Sequence, residues 1–243
     1  MTRIAPVSPP ESASRRAMAR RAALVNKLRA AVLGANDGIV STASLVMGVA
    51  GATTNTWAIL VAGIAALSAG ALSMAAGEYV SVSAQRDSDR ALLERTRQNL
   101  AQDPAAGLIR LAARYQEKGL SPELADQVAV QLTEYEPLAA HAEADLGVDP
   151  TELVSPWAAA GASLGAFTLG ALIPLLTMVL TPPDLRVVAT VAATTIALSA
   201  TGYLSARAGD SSARTAVIRV VLGGLLAMGI TYAVGSLVGV GLG

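Results

Sequence analysis

Five long stretches with almost no charge constrain this chain more than any other feature. The first, residues 30–52, contains the single charge Asp37, and the other four contain none. These four stretches are residues 56–77, 156–183, 187–206 and 220–243. Each is about 20 residues or longer, which lets a helix cross a hydrocarbon core roughly 30 Å thick. The sequence therefore predicts an all-α, polytopic membrane protein with five transmembrane helices.

Composition supports a membrane protein and excludes several other classes. The chain is 53% hydrophobic, with a mean hydropathy of +0.50, which is too apolar for an ordinary soluble domain. It has no cysteine, so disulfides and thiolate metal sites are excluded. We find no phosphate-binding loop, nucleophile elbow or zinc-protease spacing, and we therefore expect no enzyme activity, no cofactor and no nucleic-acid partner.

Basic residues between the apolar stretches predict the topology. The first 29 residues contain seven basic side chains and one acid, the segment 83–150 contains seven more, and Arg207, Arg214 and Arg219 follow the fourth span. Because such segments stay in the cytoplasm, the N-terminus is predicted inside and the C-terminus outside. The predicted organisation is a basic cytoplasmic segment (1–27), a transmembrane hairpin (28–82), a cytoplasmic domain (83–150) and spans three to five (151–243).

The cytoplasmic insert is predicted to be an acidic three-helix domain. Residues 83–150 contain twelve acids, and their apolar positions recur with helical spacing. Ser121, followed by proline and glutamate, is typical of a helix start, and Gly119 and Gly147 suit helix ends. Nothing interrupts the helical pattern between residues 74 and 100, so the second span is predicted to continue into this domain.

Asp37 is the most informative charge, because it interrupts the first apolar stretch. A carboxylate at the bilayer centre costs roughly 2.5–3.5 kcal/mol on insertion scales and is normally offset by a cavity or a partner. Asn36 and Gly38 on either side are expected to let the backbone loosen and expose carbonyl groups. The alternative is a helix-breaking turn in which Asp37 pairs with a backbone amide.

Met74 and Glu78 follow in the second span and share one helix face, being four residues apart. With Asp37 they offer hard oxygens and a softer thioether, which suits Fe(II) or Mn(II) better than Ca(II) or Mg(II). Either carboxylate could also carry a proton. The alternatives are that Met74 only fills space in the packing, and that Glu78 reaches water at the cytoplasmic interface.

Three residues near the end of the cytoplasmic domain form a weaker metal-site prediction. His141 is the only histidine, and Glu143 and Asp145 follow it at intervals of two residues. The alternative for this group is a solvated helix face.

The chain also resembles a known family. The segments "RAAVLGANDGIVSTASLVMGVAGA", "GALSMAAGEYVSVSAQRD", "LGALIPLL" and "GITYAVGSLVG" occur in the order found in the vacuolar iron transporter family, in its bacterial and nodulin-like branch. The resemblance implies a homodimer of five-span subunits that moves Fe(II), and in some members Mn(II), out of the cytosol in exchange for protons. By motif, Asp37 and Met74 match the pathway residues, and Glu78 belongs to the motif of this branch.

The chain departs from the family at several acids. Positions that carry pathway carboxylates in other members are neutral here: Asn26, Ala30 and Ala66. Positions in the cytoplasmic domain where acids are frequent are also changed: Thr96, Gln98, Asn99, Ala105, Gly107 and Arg110. Two hypotheses follow, a proton-coupled metal exporter and a membrane scaffold or regulator that does not transport. A bacterial cytoplasmic membrane is the expected location.

Overall fold

The computed structural model describes residues 11–147, 154–209 and 211–242, and the regular structure within those ranges is entirely α-helical. The helices in these ranges are α1 (Glu11–Ala52), α2 (Thr56–Gln102), α3 (Pro104–Glu117), α4 (Pro122–Tyr135), α5 (Pro137–Leu146), α6 (Pro156–Leu180), α7 (Arg186–Ala208) and α8 (Ala213–Leu242). The all-α prediction is confirmed. Residues 1–10 of the predicted N-terminal segment and the predicted boundary at 150/151 lie outside the described residues.

Five of these helices are long and apolar enough to cross a membrane, as the sequence predicted. They are the later part of α1 (Ala31–Ala52) and the helices α2, α6, α7 and α8. Helix α2 runs without interruption for 47 residues, which confirms the predicted continuation beyond the span. Its start is fixed by Asn55, whose side-chain oxygen accepts hydrogen bonds from the backbone N–H groups of Trp57 (2.9 Å) and Ala58 (3.2 Å).

The chain divides into two compact units, with boundaries at 76/77 and 159/160. We call the unit that holds most of the apolar helices the membrane unit and the unit of residues 77–159 the bundle unit. The core of the membrane unit draws on four helices through a cluster of small and medium-sized side chains. The cluster consists of Ala43, Val46, Met47, Ile59, Leu175, Met178 and Met228.

Close backbone contacts between helices dominate the packing of the membrane unit. A side chain at Gly38 of α1 would collide with the carbonyl oxygen of Phe167 in α6, and one at Gly235 of α8 would collide with the carbonyl oxygen of Gly48 in α1. Lipid tails are as apolar as leucine, so helices in a bilayer gain little from burying apolar area. Small residues instead stabilise the unit by letting backbones approach closely and make dispersion contacts.

At one end of the membrane unit, a buried arginine connects the start of α7 to the segment between α1 and α2. Arg186, the first residue of α7, is 4% exposed, and its guanidinium donates hydrogen bonds to the Thr54 carbonyl oxygen (2.8 Å) and the Thr56 hydroxyl (3.5 Å). The connections 53–55 and 181–185 therefore lie at the same end of the unit. We call this end the loop end.

In the bundle unit, α3, α4 and α5 pack around a conventional apolar core of Leu111, Ala112, Ala125 and Ala129. Ser121 caps α4 by accepting a hydrogen bond from the Leu124 N–H, which confirms the predicted helix start. Gly147 ends α5 with a φ of 65°, and Gly119 follows α3 with a φ of 98°. Both glycines stand at helix ends as predicted, because a left-handed backbone favours glycine.

Candidate metal pathway

Asp37 lies on an exposed stripe of α1, where residues recur every four positions. The stripe consists of Leu33, Asp37, Ser41 and Leu45. Leu33 is 64% exposed and Leu45 is 38% exposed, as expected of side chains that face lipid or another subunit. Within the described residues the Asp37 carboxylate has no hydrogen bond or ion pair, and its backbone carbonyl accepts from the Ser41 hydroxyl. The first span therefore presents on its outer surface a carboxylate that has no partner among the described residues.

The backbone around Asp37 differs from the prediction. We expected Asn36 and Gly38 to loosen the helix, and the helix-breaking turn was the alternative, but α1 is continuous from Glu11 to Ala52. Both expectations are wrong, because Gly38 serves the packing instead. It lets the backbone of α1 contact that of α6 at Phe167, and Gly170 of α6 similarly admits Ala35.

Met74 is half-buried on α2 and packs against a small cluster formed by Ala71, Phe167 and Ala171. The Phe167 ring also fills the space beside Gly70, one turn before Met74. Since the Phe167 backbone contacts Gly38, the residue after Asp37, Phe167 joins the two segments that carry the predicted pathway residues. The helices that carry Asp37 and Met74 therefore both contact Phe167 of α6.

The side chain of Asn36 provides an oxygen next to Asp37. The sequence analysis considered Asn36 only for its effect on the backbone. Its side-chain oxygen is buried and has no hydrogen-bond partner among the described residues. A buried polar atom without a partner is costly, and such atoms commonly bind water, ions or ligands. Asn36 is therefore a further candidate oxygen ligand beside Asp37.

Glu78 is half-buried on α2 and belongs to the bundle unit. Its neighbour Tyr79 packs against Trp157, with ring centroids 4.7 Å apart, and Trp157 is 75% exposed. Tyrosine and tryptophan concentrate at the boundary between lipid and water. These contacts are consistent with a position of Glu78 near a membrane interface.

His141 is 1% exposed, so the solvated helix face considered for it is wrong. Its Nε2 atom lies 3.3 Å from the Thr133 hydroxyl oxygen, and the ring lies beside Gly107 on α3. Burial lowers the pKa of His141, and the nearby charge of Arg110 adds to this, while Asp145 opposes it. The imidazole is thus favoured in its neutral form.

Glu143 and Asp145 do not join His141 in a metal site. Glu143 is exposed, and Asp145 accepts a hydrogen bond from the Arg114 Nε atom at 3.0 Å. No group of three or more histidine, cysteine, aspartate or glutamate side chains in the described part of the chain could hold a metal ion. The bundle unit therefore offers no preformed metal centre there.

Sequence reasoning missed Phe167 as the residue that joins α1, α2 and α6. A signal was present, since Phe167 is the only phenylalanine of the chain and stands among alanine and glycine residues. An isolated aromatic ring in a small-residue helix needs space on its neighbours, which Gly70 supplies here.

The fold and the candidate pathway first define a class, an integral membrane protein. Its described residues include five apolar helices and, on the first of these, a carboxylate with no partner in those ranges. Comparison with known sequences then gives the family. A sequence model of the VIT family matches residues 28–236, and the chain belongs to this family.

Named relatives agree with the family match. The chain is 40% identical to "Vacuolar iron transporter" of Acanthamoeba castellanii over 211 residues, covering 86% of this chain and 78% of that protein. It is 39% identical to "Vacuolar iron transporter homolog 5" of Oryza sativa subsp. japonica, covering 87% and 80%. It is 36% identical to "Vacuolar iron transporter homolog 2" of Arabidopsis thaliana, covering 87% and 84%. The family and these relatives support metal-ion transport by this chain.

Proposed function

We propose that this protein exports Fe(II), and also Mn(II), from the cytosol in exchange for protons, and that it works as a homodimer. Asp37 and Met74 line the metal pathway, and Glu78 acts as a ligand or a proton carrier. The N-terminus lies in the cytoplasm and the C-terminus outside, in the cytoplasmic membrane of a bacterium. The loop end then faces outward.

The observation that carries this proposal is the unpaired carboxylate of Asp37 on the exposed stripe of α1. In contact with lipid it would cost roughly 2.5–3.5 kcal/mol on insertion scales. A second copy of the chain that packs against this stripe removes the carboxylate from lipid. Two-fold symmetry would then bring the two Asp37 side chains to the same interface and create a polar path between subunits.

Helix α2 offers a matching surface. It exposes a stripe of small residues at helical spacing, formed by Ala65, Ala69, Ser73 and Ala76. Such stripes allow close helix association in membranes. Because Met74 neighbours this stripe, a dimer packed on α1 and α2 places a thioether close to the Asp37 carboxylates, a mixed ligand set that favours Fe(II) or Mn(II).

The same carboxylates account for the proposed exchange of metal for protons. A metal ion binds to the ionised form of Asp37 or Glu78 and is released when the group takes up a proton. Proton uptake from the outer side would therefore help to release the metal there. This is the physical basis of the proposed exchange.

A second candidate is a membrane scaffold or regulator that does not transport metal. It is favoured by the bundle unit, where the predicted residues His141, Glu143 and Asp145 form no metal cluster. Histidine and carboxylate ligands that collect ions from the cytosol would be expected to converge there in a transporter that uses this domain for capture.

The test is metal flux in vesicles. The full-length protein is reconstituted into liposomes, and uptake of Fe(II), Mn(II), Co(II) and Zn(II) is measured alongside internal pH. We expect Asp37→Ala to abolish Fe(II) flux to the level of protein-free vesicles, because the pathway loses its charged ligand. The control is Ser41→Ala, one turn further on the same exposed stripe, which should retain flux.

The dimeric state of each variant is checked by cross-linking in the membrane. Equal Fe(II) flux in wild type and Asp37→Ala contradicts the role of Asp37. Absence of flux for all four ions in wild type supports the scaffold instead. Flux without a change of internal pH contradicts the proton exchange.

A further inference from the structure

Helix α7 carries a buried polar stripe that the proposed metal pathway does not use. Its fully or nearly fully buried residues recur every four positions, beginning with Arg186 at the loop end and continuing with Thr190, Thr194 and Leu198. Arg186 is 4% exposed, and both threonines are 0% exposed. Leu198 packs against Gly224 of α8, which places the stripe against the interior of the membrane unit.

The hydroxyl groups of Thr190 and Thr194 have no hydrogen-bond partner within the described residues. A helical threonine usually bonds to the carbonyl one turn earlier. Other hydroxyls of α7 do so: Thr195 donates to the Val191 carbonyl (2.8 Å) and Ser199 to the Thr195 carbonyl (2.7 Å). The two buried hydroxyls therefore lack the bond that other hydroxyl groups of the same helix make.

Arg186 completes the stripe with a charge that bonds only to uncharged oxygens. Its partners are the Thr54 carbonyl and the Thr56 hydroxyl, and it makes no ion pair within the described residues. A full positive charge at the end of the stripe disfavours a bound metal cation. A neutral ligand with both donor and acceptor capacity fits these groups better.

We propose that the stripe of Arg186, Thr190 and Thr194 binds a short file of internal water molecules that enters the membrane unit from the loop end. A buried hydroxyl without a partner loses its hydrogen bonds to water on folding, so two of them on one stripe make binding of internal water favourable. Internal water typically bridges buried polar groups that lack protein partners. The stripe covers two helical turns, about 12 Å from Arg186 to Thr194 at 1.5 Å per residue.

The functional consequence rests on the proposed proton exchange. If the loop end faces outward, the water file gives protons a route from the outer side into the core of each subunit. This route lies on α7, whereas the metal ligands lie on α1 and α2. Metal and protons would then share the carboxylates of the proposed exchange but use separate paths in the outer part of the protein.

The first test detects the water directly. Radiolytic labelling, in which activated internal water oxidises adjacent side chains, is measured by mass spectrometry across residues 186–198 of the full-length protein in nanodiscs. We expect labelling in wild type and its loss in the double variant Thr190→Val and Thr194→Val. Thr195→Val is the matched control and should keep the labelling, because Thr195 bonds to its own helix.

Thermal stability separates the possible outcomes. If water binds, the double valine variant melts at a lower temperature, whereas Thr194→Ser retains both the hydroxyl and the labelling. A higher melting temperature in the valine variant, or no labelling in wild type, overturns the proposal, because the hydroxyls would then be unhydrated. A melting temperature that depends on chloride concentration also overturns it, in favour of a bound anion.

The second test measures the exchange itself. Proton flux coupled to Fe(II) should fall several-fold in the double valine variant and remain unchanged in Thr195→Val. Unchanged proton flux in the double variant overturns the proposed proton route along α7. Whether water is bound there is then decided by the labelling experiment. If wild type transports no metal, the proposed function fails, but the labelling and melting results still decide whether water occupies the stripe.

Discussion

The membrane unit and the bundle unit differ in the burial of their most informative titratable groups. Asp37 in the membrane unit is exposed on the surface of a helix and has no partner among the described side chains. His141 in the bundle unit is buried beside the Thr133 hydroxyl. The proposed function assigns Asp37 a partner outside its own subunit, whereas His141 is already accommodated by its own unit.

The two units also differ in how they are held together. The bundle unit buries apolar side chains such as Leu111 away from water, which is the ordinary driving force of folding. The membrane unit gains little in this way and depends on close backbone contacts such as that between Gly38 and Phe167. We therefore expect the membrane unit to be most sensitive to enlarged side chains at helix contacts, and the bundle unit to truncation of buried apolar side chains.

The largest effect is expected at Gly38. In Gly38→Val the new side chain collides with the backbone carbonyl of Phe167, which cannot move without shifting α6. The overlap can be relieved only by moving α1 and α6 apart, which also removes the close backbone contacts that stabilise the membrane unit. We expect loss of monodisperse folded protein, measured by size-exclusion chromatography and thermal melting in detergent.

The control for this change is Gly229→Val on α8. In the part of the chain that the structure describes, no atom beyond its own stretch of helix backbone lies within 4 Å of the position that its new Cβ would take. This variant should melt close to wild type. If Gly38→Val also melts like wild type, close helix contact is not what stabilises the membrane unit, and the contrast between the units fails.

A smaller effect is expected in the bundle unit from Leu111→Ala. Leu111 is 0% exposed, and truncation of a buried leucine costs about 2–5 kcal/mol. The loss should be confined to α3, α4 and α5, because these helices share the core that contains Leu111. Hydrogen exchange of the full-length protein should show reduced protection there.

The exposed Ile109 provides the control on the same helix. It is 72% exposed, so Ile109→Ala should leave hydrogen-exchange protection unchanged. Equal loss of protection in the two variants would show that the apolar core is not what holds the bundle unit together.

Features that depend on local sequence were predicted correctly. The five apolar helices follow from the length and hydropathy of uncharged stretches, and the continuity of α2 follows from the absence of breakers. Ser121 and Gly147 act at helix ends as predicted, because capping involves only neighbouring residues. These signals require no knowledge of how the helices pack.

Features that depend on contacts between helices were not predicted. Gly38 looked like a helix breaker, but a glycine is needed there because the backbone of Phe167 lies against it. Phe167 is more than 100 residues away in sequence. His141 looked like a surface residue because acids follow it, yet Gly107 and Thr133 on other helices enclose it. The roles of Asp37, Met74 and Glu78 remain predictions, since they depend on a partner subunit and a metal ion.

The smallest expected effect is a pH dependence of the bundle unit through His141. Its pKa is lowered in the folded protein by burial, below the usual value of about 6.5 that applies when it is unfolded. The unfolded chain therefore binds a proton more readily than the folded one as pH falls. Stability is fully present above about pH 6.5 and decreases below it, down to the lowered pKa of the folded state.

Hydrogen exchange of α3, α4 and α5 between about pH 8 and about pH 5, corrected for the intrinsic exchange rate, measures this effect. His141→Gln can still reach the Thr133 hydroxyl but does not titrate, so its protection should lack the acidic decrease. The charges that face His141 act in opposite directions, since Asp145 raises its pKa and Arg110 lowers it. Asp145→Asn should therefore strengthen the acidic decrease, because it removes the charge that favours the protonated ring. A decrease of the same size in wild type and His141→Gln would assign it to other groups and leave the buried histidine without a role in the stability of its unit.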